Sequence, residues 1–147
     1  MKWILVATDG SEPAQAAERR AAELAQKLGQ GLQLVYVVEP PLVPPEGAFP
    51  ITELLDDHQA WARRLLLEQA QALARPGLEI KTQVVVGSAA ESLAQLAEGS
   101  EVDLVVVGSR GRNAVARLLL GSVATRLSHL CPKPLLIVRA EKPSAKA

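Results

Sequence analysis

Five stretches of this chain are apolar almost without a break: Trp3-Ile4-Leu5-Val6-Ala7, Leu32 to Val38, Val84-Val85-Val86 closing Ile80 to Val86, Leu104-Val105-Val106-Val107, and Leu135-Leu136-Ile137-Val138. A strand with one face in water alternates apolar and polar residues, so an unbroken apolar run marks a strand covered on both faces. Between the runs the period changes. Ala14, Ala17, Ala21, Leu24 and Leu28 recur at helical spacing behind Ser11, a candidate N-cap, and Pro13, while Glu18, Arg19, Glu23 and Lys27 are assigned to the other face. Leu54, His58, Trp61 and Leu65 form the stripe of a second helix ending near Pro76-Gly77. Ser88 and Glu91 suggest a capping box for a third, with Ala90, Leu93, Leu96 and Ala97 on its apolar side. Val123, Leu127 and Leu130 extend a fourth from Ser122, which Pro132 and Pro134 stop. Buried strands alternating with helices predict an α/β chain, a single doubly wound parallel sheet with helices on both faces.

The residues that break this rhythm define its organisation. Glu39 to Pro50 holds five of the ten prolines, at 40, 41, 44, 45 and 50, and reads as a surface loop. The closing EKPSAKA, residues 141–147, reads as a frayed tail, leaving residues 1–140 as one domain. Sixteen Lys and Arg balance sixteen Asp and Glu, so the chain as a whole has no pull on nucleic acid or an anionic membrane. No apolar run reaches the length of about 18 residues that a membrane helix needs, and the opening MKWILVATDG runs into a strand pattern, so a cytoplasmic location is expected. The one cysteine, Cys131, excludes an internal disulfide and a cysteine-built metal site, and reads as a small hydrophobe. His58 sits in an apolar stripe without a second ligand at metal spacing, and reads as a core or helix-boundary histidine.

The chemistry concentrates between Leu104 and Ser122. Gly108 and Gly111 follow the fourth apolar run at once, and Gly121-Ser122 opens the last helix, with Val115, Leu118 and Leu119 suggesting a short helical piece between them. Two glycines alone read as a strand end and a helix break. Three glycines and a serine after a buried strand read as an anion site, because glycine admits close backbone approach and positive φ and a helix start offers unpaired N–H groups to phosphate. Asp9, in Thr8-Asp9-Gly10-Ser11 after the first strand, has two readings: a turn former bonding nearby N–H groups, or a functional carboxylate at a strand's carboxyl end. In doubly wound sheets ligands sit beyond the carboxyl ends of strands at the switch point. If the first and fourth strands are neighbours, both polar turns meet in one crevice.

The pattern G-x2-G-x9-G-[ST], filled by Gly108, Gly111, Gly121 and Ser122, resembles the nucleotide-binding signature of the universal stress protein family, and the likeness runs from the opening strand to the Pro-Lys-Pro-Leu-Leu-Ile-Val strand at the end. The resemblance implies a five-stranded parallel sheet in the order 3-2-1-4-5 and, in the glycine-signature branch, ATP as ligand. It implies that Gly108, Gly111, Gly121 and Ser122 hold phosphate and ribose, with the N–H of Val123 beside them. Asp9 matches the acidic residue that meets ribose or a phosphate-bound Mg²⁺, Ala7 and Thr8 line the same turn, and Val37 matches the position that contacts adenine with its backbone. Ala7 is a departure, since some ATP binders have proline there. Arg110 and Arg112 in the glycine loop read equally as phosphate partners or as solvated side chains. The resemblance also implies a homodimer through the edge strand Leu135 to Val138.

Three functions compete on these grounds. The first is an ATP-binding stress or regulatory module with no catalytic residues, its downstream protein partner unnamed. The second is a slow ATP hydrolase or ATP-dependent transferase, for which the chain lacks a G-x4-G-K-[ST] loop, an HxGH element and an SGGxDS loop. The third is a partner-binding module with an empty crevice.

Overall fold

In the computed structural model the chain is described over residues 1–41, 51–111 and 120–140. Arg112, the helical piece around Val115, Leu118 and Leu119, most of the proline-rich loop and the tail at 141–147 lie outside the described residues. The elements are β1 (Trp3–Ala7), α1 (Glu12–Leu28), β2 (Gly31–Val38), α2 (Ile51–Leu73), β3 (Ile80–Val86), α3 (Ala89–Ala97), β4 (Val102–Gly108), α4 (Ser122–Leu130) and β5 (Leu135–Val138). The five strands form one sheet in the order β3-β2-β1-β4-β5, and every neighbouring pair is parallel. Both the doubly wound sheet and its order match the expectation.

Burial follows from position in the sheet. Ile4, Leu5 and Val6 of the central strand and Val105 and Val106 of its neighbour are fully inaccessible, which is why their sequence shows no alternation. The even positions of β1 and β2, Ile4, Val6, Leu32 and Leu34, pack with Ala17, Ala21 and Ala25 of α1 and Ala62 and Leu66 of α2. Leu5 and Val35 face the other way, into Leu93 and Ala97 of α3 and Ala124 and Leu127 of α4. The sheet therefore has α1 and α2 on one face and α3 and α4 on the other. Cys131 packs at the margin of the second layer, half-buried, as a small hydrophobe does.

Two local expectations need correction. The helical pattern puts Glu18 on the outer face of α1, yet it is only 1% exposed. Its position four residues after Ala14 and four before Ala22 sets it within the buried alanine stripe. The capping box at Ser88 and Glu91 does not form: Ser88 is the N-cap of α3 without a side-chain bond, and Glu91 pairs instead with Arg126 of α4. The cap comes from a distance, since the Ala89 N–H donates to Glu39 Oε2 just past β2, at 3.0 Å. Among the described residues no helix is long and apolar enough to cross a membrane.

Candidate functional site

The chain leaves β1 and β4 in opposite directions, and the gap between their carboxyl ends is where the sheet's winding reverses. At β1 the Thr8 N–H donates to Val35 C=O at 2.9 Å, and the chain then turns sharply. Gly10 has φ 83, a left-handed conformation that suits glycine. Asp9 Oδ1 accepts the Ser11 N–H at 3.0 Å, and Ser11 Oγ in turn accepts the Ala14 N–H at 3.3 Å as the N-cap of α1. At β4 the Ser109 N–H reaches Val138 C=O at 2.8 Å, and Ser109 C=O accepts the Gly121 N–H at 2.6 Å. That second bond ties the start of α4 to the end of β4.

The glycines have steric rather than conformational reasons. Gly121 lies at φ −75, so it needs no positive φ; a Cβ there would meet Arg110 Cα at 3.2 Å. A Cβ on Gly111 would stand 2.9 Å from Asp9 Oδ2, so this glycine lets the two turns touch. At Gly108 the obstacle would be Pro13 O at 2.9 Å, where the first turn of α1 packs on β4.

The helix starts facing this gap differ in one respect. The first turn of α1 is capped by Ser11 Oγ and that of α3 by the Glu39 carboxylate, whereas α4 begins at Gly121 with no side-chain cap among the described residues. The first helical bond of α4 runs from Thr125 N–H to Gly121 C=O at 3.0 Å, so the N–H groups of Ser122, Val123 and Ala124 before it have no acceptor within the helix. The positive end of the helix dipole adds to them, and together they suit an anion.

On the opposite wall the strand itself is open. Parallel strands direct successive backbone groups to alternate sides. Val35 C=O serves β1 and Val38 C=O takes the Gly87 N–H on the β3 side, so the N–H and C=O of Val37 face the β1 side beyond the point where β1 has ended. One donor and one acceptor are thus presented at fixed spacing, enough to read the edge of a planar heterocycle.

One cleft of about 510 Å³ connects these features, and it is lined by all nine of the residues expected from the sequence: Ala7, Thr8, Asp9, Val37, Gly108, Gly111, Gly121, Ser122 and Val123. Arg110 lines it too, as the single described arginine that does so. Glu39, not among the residues expected from the sequence, also lines it, with one oxygen engaged by Ala89. His58 and Tyr36 form the wall on the α2 side, the Tyr36 hydroxyl and His58 Nε2 lying 3.0 Å apart and their rings meeting edge-on. His58 is therefore a half-buried cleft residue rather than a core one, while His129 is exposed late in α4. Beneath the turn, Thr8 Oγ1 donates to the buried carboxylate of Glu18, a contact no local sequence signal announced. Among the described residues there is no group of three His, Cys, Asp or Glu side chains placed to hold a metal ion.

A doubly wound sheet with an uncapped helix start and an open strand edge at its switch point is an α/β architecture suited to a ligand with an anionic end and a planar ring. The universal stress protein family model matches residues 1–139, and the chain belongs to that family. A universal stress protein of Thermus aquaticus is 37% identical over 142 residues, covering 94% of this chain and 98% of that protein. The solved structure of the universal stress protein UspA from Lactobacillus plantarum superimposes with a TM-score of 0.86 at 29% identity, covering 94% and 97% of the two chains. A universal stress protein structure in complex with cAMP superimposes at 0.64 with 26% identity, covering 95% and 98%.

Proposed function

We propose that this protein is an ATP-binding module of the stress response, holding the nucleotide in the cleft between the turns after β1 and β4 and acting as a homodimer. The observation that carries the reading is the α4 start: three helix N–H groups without an intrahelical acceptor, locked to β4 and lining the same cleft as the open edge of Val37. In this reading Val37 pairs with adenine, Ala7 and Thr8 wall the nucleoside, and Gly108, Gly111, Gly121, Ser122 and Val123 surround ribose and phosphate. The relative bound to cAMP supports an adenine nucleotide as the ligand class.

Mg²⁺ fits the donor set as a phosphate-borne ion. It commonly keeps several waters and takes one or two carboxylates together with substrate phosphates. Asp9, with Oδ1 on the Ser11 N–H and Oδ2 against Gly111, supplies one such carboxylate at the phosphate end.

The binding reading is preferred to the hydrolase. Rapid hydrolysis needs a positioned water and a base, and of the candidate bases Glu39 is engaged by Ala89 and His58 by Tyr36. Because both line the cleft, an ATP hydrolase is the second reading, and single-turnover release of phosphate faster than about one per second would favour it over the binding module. The dimer rests on β5, an edge strand whose four residues are all half-buried in the lone chain, which suits a strand awaiting a partner. Ile137→Pro, which removes an edge N–H, should convert a sedimenting dimer to monomer.

Mass spectrometry of small molecules released from acid-precipitated, freshly purified protein tests the function directly. ATP in amounts approaching one per chain supports it; protein that carries none and gives no heat with millimolar Mg-ATP refutes it.

A further inference from the structure

Glu18 is the least expected polar residue in the molecule. It is 1% exposed, on the face of α1 that carries the buried Ala14, Ala17, Ala21 and Ala22. An acid on such a face must have a partner, and the partner is Thr8, itself 6% exposed and lining the cleft.

The pair lies at the head of a short chain of bonds. A hydroxyl has one proton and two lone pairs. Thr8 gives its proton to Glu18 Oε2, and its oxygen then accepts the Gly10 N–H at 3.1 Å. Gly10 is the left-handed residue of the turn, and its C=O accepts Gln15 Nε2 at 3.0 Å. Two α1 side chains one turn apart, Gln15 and Glu18, thus grip the turn from both ends of Gly10. Asp9 lies between Thr8 and Gly10, so the direction of its carboxylate depends on this grip.

We propose that Glu18 is a positioning residue of the cleft: by taking the Thr8 proton it commits the Thr8 oxygen to Gly10, and so holds the Asp9 turn in the geometry that faces Gly111 and the start of α4. Without an acceptor at 18 the hydroxyl rotates freely and the Gly10 bond loses its direction. A glutamine keeps one oxygen acceptor for Thr8 and loses the charge, with an amide NH2 in place of the second oxygen. The consequence for ligand binding rests on the nucleotide reading above; the hold on Gly10 does not.

The test compares Glu18→Leu with Glu18→Gln in ligand-free protein by amide hydrogen exchange at Gly10, then titrates each with Mg-ATP. Leucine suits the alanine-lined face and should fold. Gly10 should exchange about tenfold faster in Glu18→Leu, stay near parental in Glu18→Gln, and be released equally in Thr8→Val. ATP affinity should fall by about tenfold in the leucine variant and be kept in the glutamine variant. Parental exchange at Gly10 in Glu18→Leu overturns the proposal, as does equal release in both Glu18 variants. A parent that binds no ATP while Gly10 follows this pattern would refute the nucleotide reading and leave the positioning role standing.

Discussion

The two ends of the sheet are built from the same elements in opposite polarity. At the amino ends of the strands the helices finish, and lysines bond the carbonyls of the turn between α3 and β4 and of the first residue of β4: Lys133 Nζ donates to Gly99 and Val102 C=O at 2.8 and 2.6 Å, and Lys2 Nζ to Ser100 C=O at 2.8 Å. Gln30 bonds Asp103 at 2.9 Å, and Lys81 sits 4.0 Å from the centre of the Trp3 ring. That end is sealed. At the carboxyl ends the helices begin, and the protein supplies Ser11 to α1 and Glu39 to α3 but, among the described residues, no side chain to α4. A cation at a helix end and an anion at a helix start are both favourable. One end ties itself down with these side chains, although Gln30 Oε1 is buried there without a hydrogen-bond partner; the other leaves an anion-shaped gap. The difference teaches that the cleft is specified by a missing cap as much as by any residue present.

The strongest way to break this contrast is to fill the gap. Gly121→Val would drive a branched side chain against Arg110 and lift the loop from α4, so calorimetric ATP affinity should fall by at least about a hundredfold. Because φ is already negative there, cooperative unfolding should persist. A milder change removes charge but keeps shape: in Asp9→Asn the amide oxygen can still accept the Ser11 N–H, so the turn should survive while Mg-ATP binds about tenfold more weakly. Loss of affinity without magnesium as well would point to a turn defect.

The third prediction follows from Glu18. Burial pushes its carboxyl above the ordinary glutamate value, against the Thr8 hydroxyl and Arg19, with Asp9 adding to the rise. A raised folded-state value means that the folded chain holds a proton the unfolded chain has released. The resulting stabilisation is full below the ordinary glutamate value and is lost as pH rises through the raised one. Urea midpoints of the parent should therefore fall across that window relative to Glu18→Gln, and parallel profiles would show that Glu18 does not titrate there. The smallest effect belongs to the sealed end. Lys133→Met removes two bonds to carbonyls and should cost about 1–2 kcal/mol in stability with ATP affinity unchanged.

How much of this was legible in the sequence depends on range. The unbroken runs at Ile4 to Val6 and Val105 to Val107 announced buried parallel strands, because no one-sided sheet tolerates them. The switch-point rule then brought Asp9 and Gly111 together before any coordinate did. What escaped was set by neighbours far along the chain. Glu39 caps a helix fifty residues away, a pairing no local pattern encodes. Glu18 was hidden by the habit of assigning acids to the wet face, although its spacing from Ala14, Ala22 and Ala25 placed it on the dry one. The glycines were recognised, yet their reason is backbone meeting backbone at Gly121 and carboxylate at Gly111, which spacing alone does not distinguish from positive φ.

The central claim is that the ligand enters the uncapped end and leaves the sealed end untouched. Amide shift mapping of the parent titrated with Mg-ATP tests it most directly. Changes should concentrate at Thr8 to Ser11, Val37, Ser109 to Gly111 and Gly121 to Val123, with Lys2, Gly99 to Asp103 and Lys133 unmoved. Shifts centred on that second group, or none at millimolar ATP, would contradict the account.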